Sequence, residues 1–493
     1  MRTVGGRCGV ERAGVTRRGM AGLVAAGLPV QALADSSRPS KRPPPAERKL
    51  VSPAVEAKLS AVKAGIADPE LAWLFENCWP NTLDTTVELG EAGGLPDTFV
   101  ITGDIPALWL RDSSAQVWPY LGLAAEDPVL RRMFRGLIQR HARSILIDPY
   151  ANAFTRDPRA ATPLGWAAQD MTEMRPGVAE RKWEIDSLCH PIRLAHGYWR
   201  ATGDGQPFDA AWREAMALVL KTFREQQRLE GPGPYHFQRV SESPSDTLAL
   251  GGWGAPTRKV GLIHGMFRPS DDACVYPFHI PGNLFAVTSL RQLAQMARAL
   301  HGDGAFAAAC ETLAGEVAAA LARHGQMTDE HGQAVWAYEV DGFGDRLFMD
   351  DANVPSLLSL GYLGCVSPSD PIWRRTRSAV LSGRNPYFFK GRAAEGVGGP
   401  HVGLGMVWPM GIIMRALSSD DDAEILACLG GLKRTHAGTG FMHEAFDQDD
   451  PAHFTRPWFA WANSLFGELI LDLDRRKPAL LRQTLPVQER PTP

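Results

Sequence analysis

The stretch WFAWANSLFGEL, residues 458–469, decides how the rest of the chain is read. It is apolar or small at almost every position, keeps helical spacing on to residue 474, and holds one charged side chain, Glu468. A helix that is apolar on every side is buried on every side. The run 402–417 has the same make-up and suits the same kind of place. Working outward, three- and four-residue apolar spacing predicts helices over 55–66, 114–123, 128–145, 184–202, 209–226, 283–300, 305–323, 354–360, 372–381, 403–417, 423–433 and 458–474. Strand patterns are confined to 98–102 and 334–340. The expected fold class is therefore all-α, an (α/α)6 barrel of paired inner and outer helices over residues 51–480. Its long loops, 232–269 and 384–400, would form the mouth. No fixed period is present, which argues against a solenoid.

The 493 residues carry a formal net charge of −3 and are 44% apolar, enough for a large core. So balanced a charge excludes a binder that relies on a strong basic field, and no nucleic-acid partner is expected. At the amino end, Thr16-Arg17-Arg18 leads into a short apolar run and then Ala32-Leu33-Ala34. Paired arginines, a mild apolar core and an A-x-A site form the layout of a twin-arginine export signal. Residues 1–34 are accordingly expected to be a leader, 35–50 a Pro-rich linker and 481–493 a polar tail, with the mature protein periplasmic or secreted. No later stretch reads as long and apolar enough to span a membrane. Cys8 lies in the leader, and the other six cysteines are scattered without a C-x-x-C pair, so buried thiols are expected.

Five stretches carry candidate chemistry. Trp109, Arg111 and Asp112 offer an aromatic face, a fork of donors and an acceptor, as a polyhydroxylated ring requires; Asp112 or Ser113 could equally cap a helix. Glu184 and Asp186 open a helix on which His190, four residues after Asp186, shares its face. In FRPSDDAC, 267–274, Ser270 could cap a helix through Asp271 and Asp272, while an acid between Arg268 and aromatic neighbours could serve as a proton donor. Asp350 and Asp351, followed by Asn353, suit a helix cap or a sugar contact, and no EF-hand pattern follows. Glu444, in GTGFMHEAFD beside His443, is the best second carboxylate, with Glu395 a weaker rival. No H-E-x-x-H or Cys/His set is present, so no motif calls for a metal or another cofactor. Paired carboxylates with Trp and Arg point to glycoside hydrolysis.

Six longer segments then show a specific resemblance. They are ALWLRDSSAQVWPY (107–120), EIDSLCHPIRLAHGYW (184–199), GMFRPSDDACVYPFHIPGNLFA (265–286), MDDANVPSLLSLGYLG (349–364), GPHVGLGMVWPMGIIMRAL (399–417) and the run 438–470 around MHEAFD. In this order they resemble glycoside hydrolase family 125, over about Leu71 to Leu471. The resemblance implies an exo-acting α-1,6-mannosidase on an (α/α)6 barrel, inverting and metal-independent, whose partners are mannose-containing glycans. It puts the acid at Asp271 or Asp272, with Asp272 favoured, and the base at Glu444. Trp109, Arg111, Asp112, His190, Arg268, Asp351 and His443 become candidates for gripping the terminal mannose. The rival readings are another glycosidase on the same barrel, such as a glucosidase, a metal-dependent mannosidase, or a non-catalytic glycan-binding protein.

Overall fold

Residues 460–476, Ala460–Arg476, form a helix buried along most of its length in a computed structural model that describes residues 38–485. Its small residues have specific neighbours. Ser464 donates to the Gln116 carbonyl at 2.8 Å and lies 3.1 Å from Thr82 Oγ1. Gly467 disfavours a helix, yet a Cβ there would stand 2.5 Å from Trp79, so close packing demands it. The expected leader and the last eight residues of the expected tail lie outside the described residues.

Among the described residues there are twelve helices of eight or more residues. They are α1 Pro53–Ala64, α2 Pro69–Cys78, α3 Leu110–Val117, α4 Pro128–Ile147, α5 Ile185–Thr202, α6 Ala210–Gln226, α7 Ile280–His301, α8 Gly304–His324, α9 Pro371–Val380, α10 Pro409–Leu417, α11 Asp422–Thr435 and α12 Ala460–Arg476. Asp or Ser caps that accept from first-turn amides start α1, α2, α4, α6, α8, α9 and α11, and proline follows the cap in four of these. Helices α3, α5, α7, α10 and α12 follow one another around an inner ring, α3 packing on both α5 and α12. The outer helices α4, α6, α8 and α11 lie against one another or against their inner partners. Segment 349–364 fills the inner position between α7 and α10: the Val354 carbonyl meets His190 of α5, and Tyr362 donates to Glu468 of α12 at 2.8 Å. The fold is the expected (α/α)6 barrel.

The structure departs from the sequence expectations at particular points. Residues 354–360 form turns, because Ser356 and Ser359 take each other's amides and the buried Asp350 accepts from Leu357 and Leu358. Helix α10 starts only at Pro409; residues before it include Gly403 and Gly405 at positive φ and the strand Met406–Val407. No helix follows Ser270. Helix α2 had not been anticipated, nor had the hairpin of β1 Val87–Ala92 and β2 Leu95–Val100, whose turn uses Gly93 and Gly94 at φ +61° and +77°. The linker reading of 35–50 is also corrected, since residues from Pro39 belong to the folded body: Arg42 pairs with Glu56 and Asp84, and Trp73 donates to the Pro39 carbonyl. At the other end, Leu481 and Leu485 are buried. Contrary to expectation, α8 is long and apolar enough to cross a membrane by length and composition, owing to its alanines; here it lies along α7 with Leu313, Val317 and Leu321 buried. The six cysteines among the described residues are unpaired.

Candidate active site

Short extended segments deliver the chain into the N-terminal ends of the inner helices, and side chains meet there. Trp109 precedes α3, Glu184 precedes α5, Trp408 precedes α10 and Phe459 precedes α12. Trp109, Trp408 and Phe459 line a cavity of about 330 Å³, together with Trp461, Arg111, Asp112, Asp271, His401 and Glu444. Two lining residues, Asp271 at φ +66° and Arg456 at φ +45°, hold left-handed backbone, a strain that concentrates at working sites.

Arg111 organises one wall. Its guanidinium donates to Glu184 at 2.6 Å, to Asp186 at 3.2 Å and to Asp271 at 3.4 Å, and lies 3.5 Å from Asp112. One cation cannot hold four carboxylates ionised in a buried place. Burial pushes Asp112 and Asp186 up to about 6 against the pull of Arg111. Burial also drives Glu184 well above the carboxylate range, helped by the adjacent Asp271. For Asp271 burial is outweighed by Arg111, by its hydrogen bond with Glu184 and by Lys182, and it is held at about 2. Glu184 and Asp271 are thus a pair with one proton, resting on Glu184. No donor among the described residues reaches Glu184 Oε1, the atom left to carry it.

Across the cavity Glu444, just before the strand Ala445–Asp447, accepts from Arg456 at 3.2 Å, and Arg456 also pairs with Asp104. His401 stands 3.5 Å from Asp272. Burial opposes its charge, but the hydrogen bond to Asp272 and the nearby carboxylates of Asp271 and Glu444 raise it from 6.5 to about 9. Because the folded value is the higher one, this contribution to stability is complete below about 6.5 and lost as pH rises through about 9. Thermal unfolding followed across that window should show the parent protein losing more stability than His401→Gln.

The expected site residues divide into two groups. Trp109, Arg111, Asp112, Asp271 and Glu444 line the cavity. Asp272 does not: its side chain is 5% exposed and turned to His401 and Ser270. The capped-helix reading of Ser270 is corrected, since its hydroxyl donates to Asp272 at 3.3 Å and the next helix starts at Ile280, capped by His279. Nor does Asp112 cap α3, whose first residue is Leu110.

Four expected sugar contacts, His190, Arg268, Asp351 and His443, are not among the lining residues. His190 is buried between Phe285 and Trp461, bonded to the Val354 carbonyl, and burial drives it well below its usual range. Arg268 donates through Nε to Glu339 at 2.6 Å. His443 is stacked on Phe454 with ring centroids 3.9 Å apart, and burial lowers it to about 4. Asp351 is buried against Asn353, which itself reaches the cavity. Glu395 is engaged with Arg415 and Lys390 instead. Trp166, Glu180, Lys182, Arg239, His401 and Arg456 were not anticipated as lining residues. Glu180 and Lys182 adjoin the WEID motif, and His401 sits in GPHVG, so proximity to those motifs was the available signal. Among the described residues no group of three or more His, Cys, Asp or Glu could hold a metal ion.

A helical barrel whose inner helices begin at a pocket of tryptophans, paired charges and carboxylates has the layout of a carbohydrate-active enzyme. The comparisons narrow this. The profile described as "Metal-independent alpha-mannosidase (GH125)" matches residues 68–471, and the chain belongs to that family. A metal-independent α-mannosidase from Streptococcus pneumoniae, solved in a non-productive complex with α-1,6-mannobiose, is 39% identical. It superposes with a TM-score of 0.82 over 86% of this chain and 99% of that one. The "Meiotically up-regulated gene 157 protein" of Schizosaccharomyces pombe is 44% identical over 461 residues, covering 90% of each chain. A bacterial glucoamylase shares the fold at 12% identity and a TM-score of 0.50, over 87% of this chain and 58% of its own.

Proposed function

We propose that the protein is an exo-acting α-1,6-mannosidase that hydrolyses terminal mannose from glycans with inversion, Asp271 acting as general acid and Glu444 as general base. The observation that carries this reading is a single cavity with buried tryptophans, Arg111 and both carboxylates on its lining. The mannobiose bound by the pneumococcal relative supports the sugar and the linkage.

In this mechanism the terminal mannose enters first and lies against Trp109 and Trp461. Asp271 is ionised in the empty site and cannot donate. Substrate covering its exposed side displaces water and favours the neutral form, and the proton passes from Glu184 across the hydrogen bond they share. Asp271 then protonates the glycosidic oxygen as its bond to the anomeric carbon breaks. Glu444 takes a proton from water, which attacks the opposite face of that carbon. Inversion calls for carboxyls about 6.5–9.5 Å apart so that a water fits between them. The developing positive charge is met by a wall rich in carboxylates.

Digestion of α-1,6-mannobiose followed by NMR tests sugar, linkage and stereochemistry together. β-Mannose is expected to appear first, at a rate unchanged by chelator. Initial α-mannose refutes inversion, release of glucose alone from a panel of aryl glycosides favours a glucosidase, and loss of activity in chelator would point to metal dependence.

A further inference from the structure

Of the tryptophans on the cavity, Trp109, Trp408 and Trp461 are each under 5% exposed, whereas Trp166 is 51% exposed. So large an apolar side chain kept in water calls for a reason, and Trp166 is not loosely held. Its indole N–H donates to Glu180 at 3.2 Å. Glu180 is itself buried and accepts from Arg239 at 2.8 Å and from Asn152 at 3.0 Å. Arg239 grips Asp170, from the same loop as Trp166, through two bonds of 2.7 Å. Asn152 also donates to Asp271 at 3.3 Å. One polar chain therefore runs from the exposed indole through Glu180 and Asn152 to a carboxylate on the cavity.

We infer that Trp166 is a stacking platform for the sugar on the leaving side of the scissile bond, fixed in register with Asp271 through Glu180 and Asn152. The inference rests on the exo-mannosidase reading. An exo-acting enzyme holds the terminal residue at the buried base, so the rest of the glycan must leave through the mouth, where Trp166 stands. The flat face of a pyranose carries axial C–H groups that pack on an indole, and a rigid aromatic provides that contact at little cost in side-chain entropy. Bracing by Glu180 fixes the height of the leaving sugar, and so brings the glycosidic oxygen within reach of Asp271. Trp166 is a specificity-determining residue in this account, and Glu180 a positioning residue.

The experiment compares α-1,6-mannobiose with α-mannosyl fluoride, whose leaving group has no sugar to stack. In Trp166→Ala, kcat/KM for mannobiose should fall about tenfold, in line with loss of one aromatic contact. Turnover of the fluoride should stay within about twofold. Trp166→Phe, which keeps a ring, should recover most of the loss on mannobiose, and the thermal midpoint of both variants should match the parent's. Equal losses on both substrates, or no loss on mannobiose, overturns the platform. If the parent hydrolyses neither substrate, the mannosidase reading itself falls and takes the platform with it.

Discussion

Glu444→Ala is expected to lower turnover of α-1,6-mannobiose by roughly 10³-fold, about 4 kcal/mol of transition-state stabilisation, while mannobiose binding measured by calorimetry stays close to the parent's. The size follows from the role. Without a base, water attacks unassisted, and no lining carboxylate stands where Glu444 does. Asp112 and Asp271 share the wall of Arg111, and Asp104 is bound to Arg456. Binding should be retained because the sugar contacts proposed above, on Trp109, Arg111 and Trp461, lie elsewhere on the lining. Glu444 is 9% exposed and, among the described residues, its side chain is hydrogen-bonded only to Arg456, so its removal leaves that cation with Asp104 and should not unfold the barrel. The same variant should fail on α-mannosyl fluoride, since a good leaving group does nothing for the attacking water. Full activity on the fluoride would remove Glu444 from the role of base. A purely glycan-binding protein would differ earlier, with no turnover in the parent.

How much of this was readable beforehand depended on whether neighbours in sequence were also neighbours in space. Helices α4, α5, α7 and α12 were legible because their apolar spacing and the packing it reports belong to one segment. Helix α2 carried its own start signal, Asp68 before Pro69, yet its ten residues are too short to show a clear period. The turns at 354–360 depend on Asp350 folding back, and the spacing of leucines there imitates a helix. In the site, Trp109, Arg111 and Asp112 stood out as a cluster and do line the cavity. His190 had equally good company on its helix, but Phe285 and Trp461, from two other helices, close over it. His401 and Lys182 act through Asp272, Asp246 and the Asp271 carbonyl, partners far off in sequence, so the neighbouring motifs marked their place and not their role. Trp166, in a loop of alanines and glycine, looked like ordinary surface.

The two adjacent aspartates should separate cleanly on substitution. Asp271→Asn is expected to cut kcat/KM for mannobiose by about 10²–10⁴-fold, the usual contribution of a positioned acid. Its loss on α-mannosyl fluoride should be far smaller, because fluoride departs with little help from a proton. Asn is among the few residues that accept left-handed backbone, so φ +66° at this position survives the change. Asp272→Asn is expected to reduce mannobiose turnover by less than about tenfold, well short of the loss of a positioned acid. Its carboxylate is not among the lining groups and acts on His401, so its removal should instead bring His401 down from about 9 and shift the alkaline side of the pH–rate profile toward neutrality. The reverse pattern, a large loss on mannobiose with fluoride spared in Asp272→Asn and a small one in Asp271→Asn, would make Asp272 the acid. Asp271 has an open face toward substrate at 28% side-chain exposure and a neighbour, Glu184, that holds a proton within hydrogen-bonding reach. Asp272 is 5% exposed and engaged by His401 and the Ser270 hydroxyl, which leaves it no comparable open face.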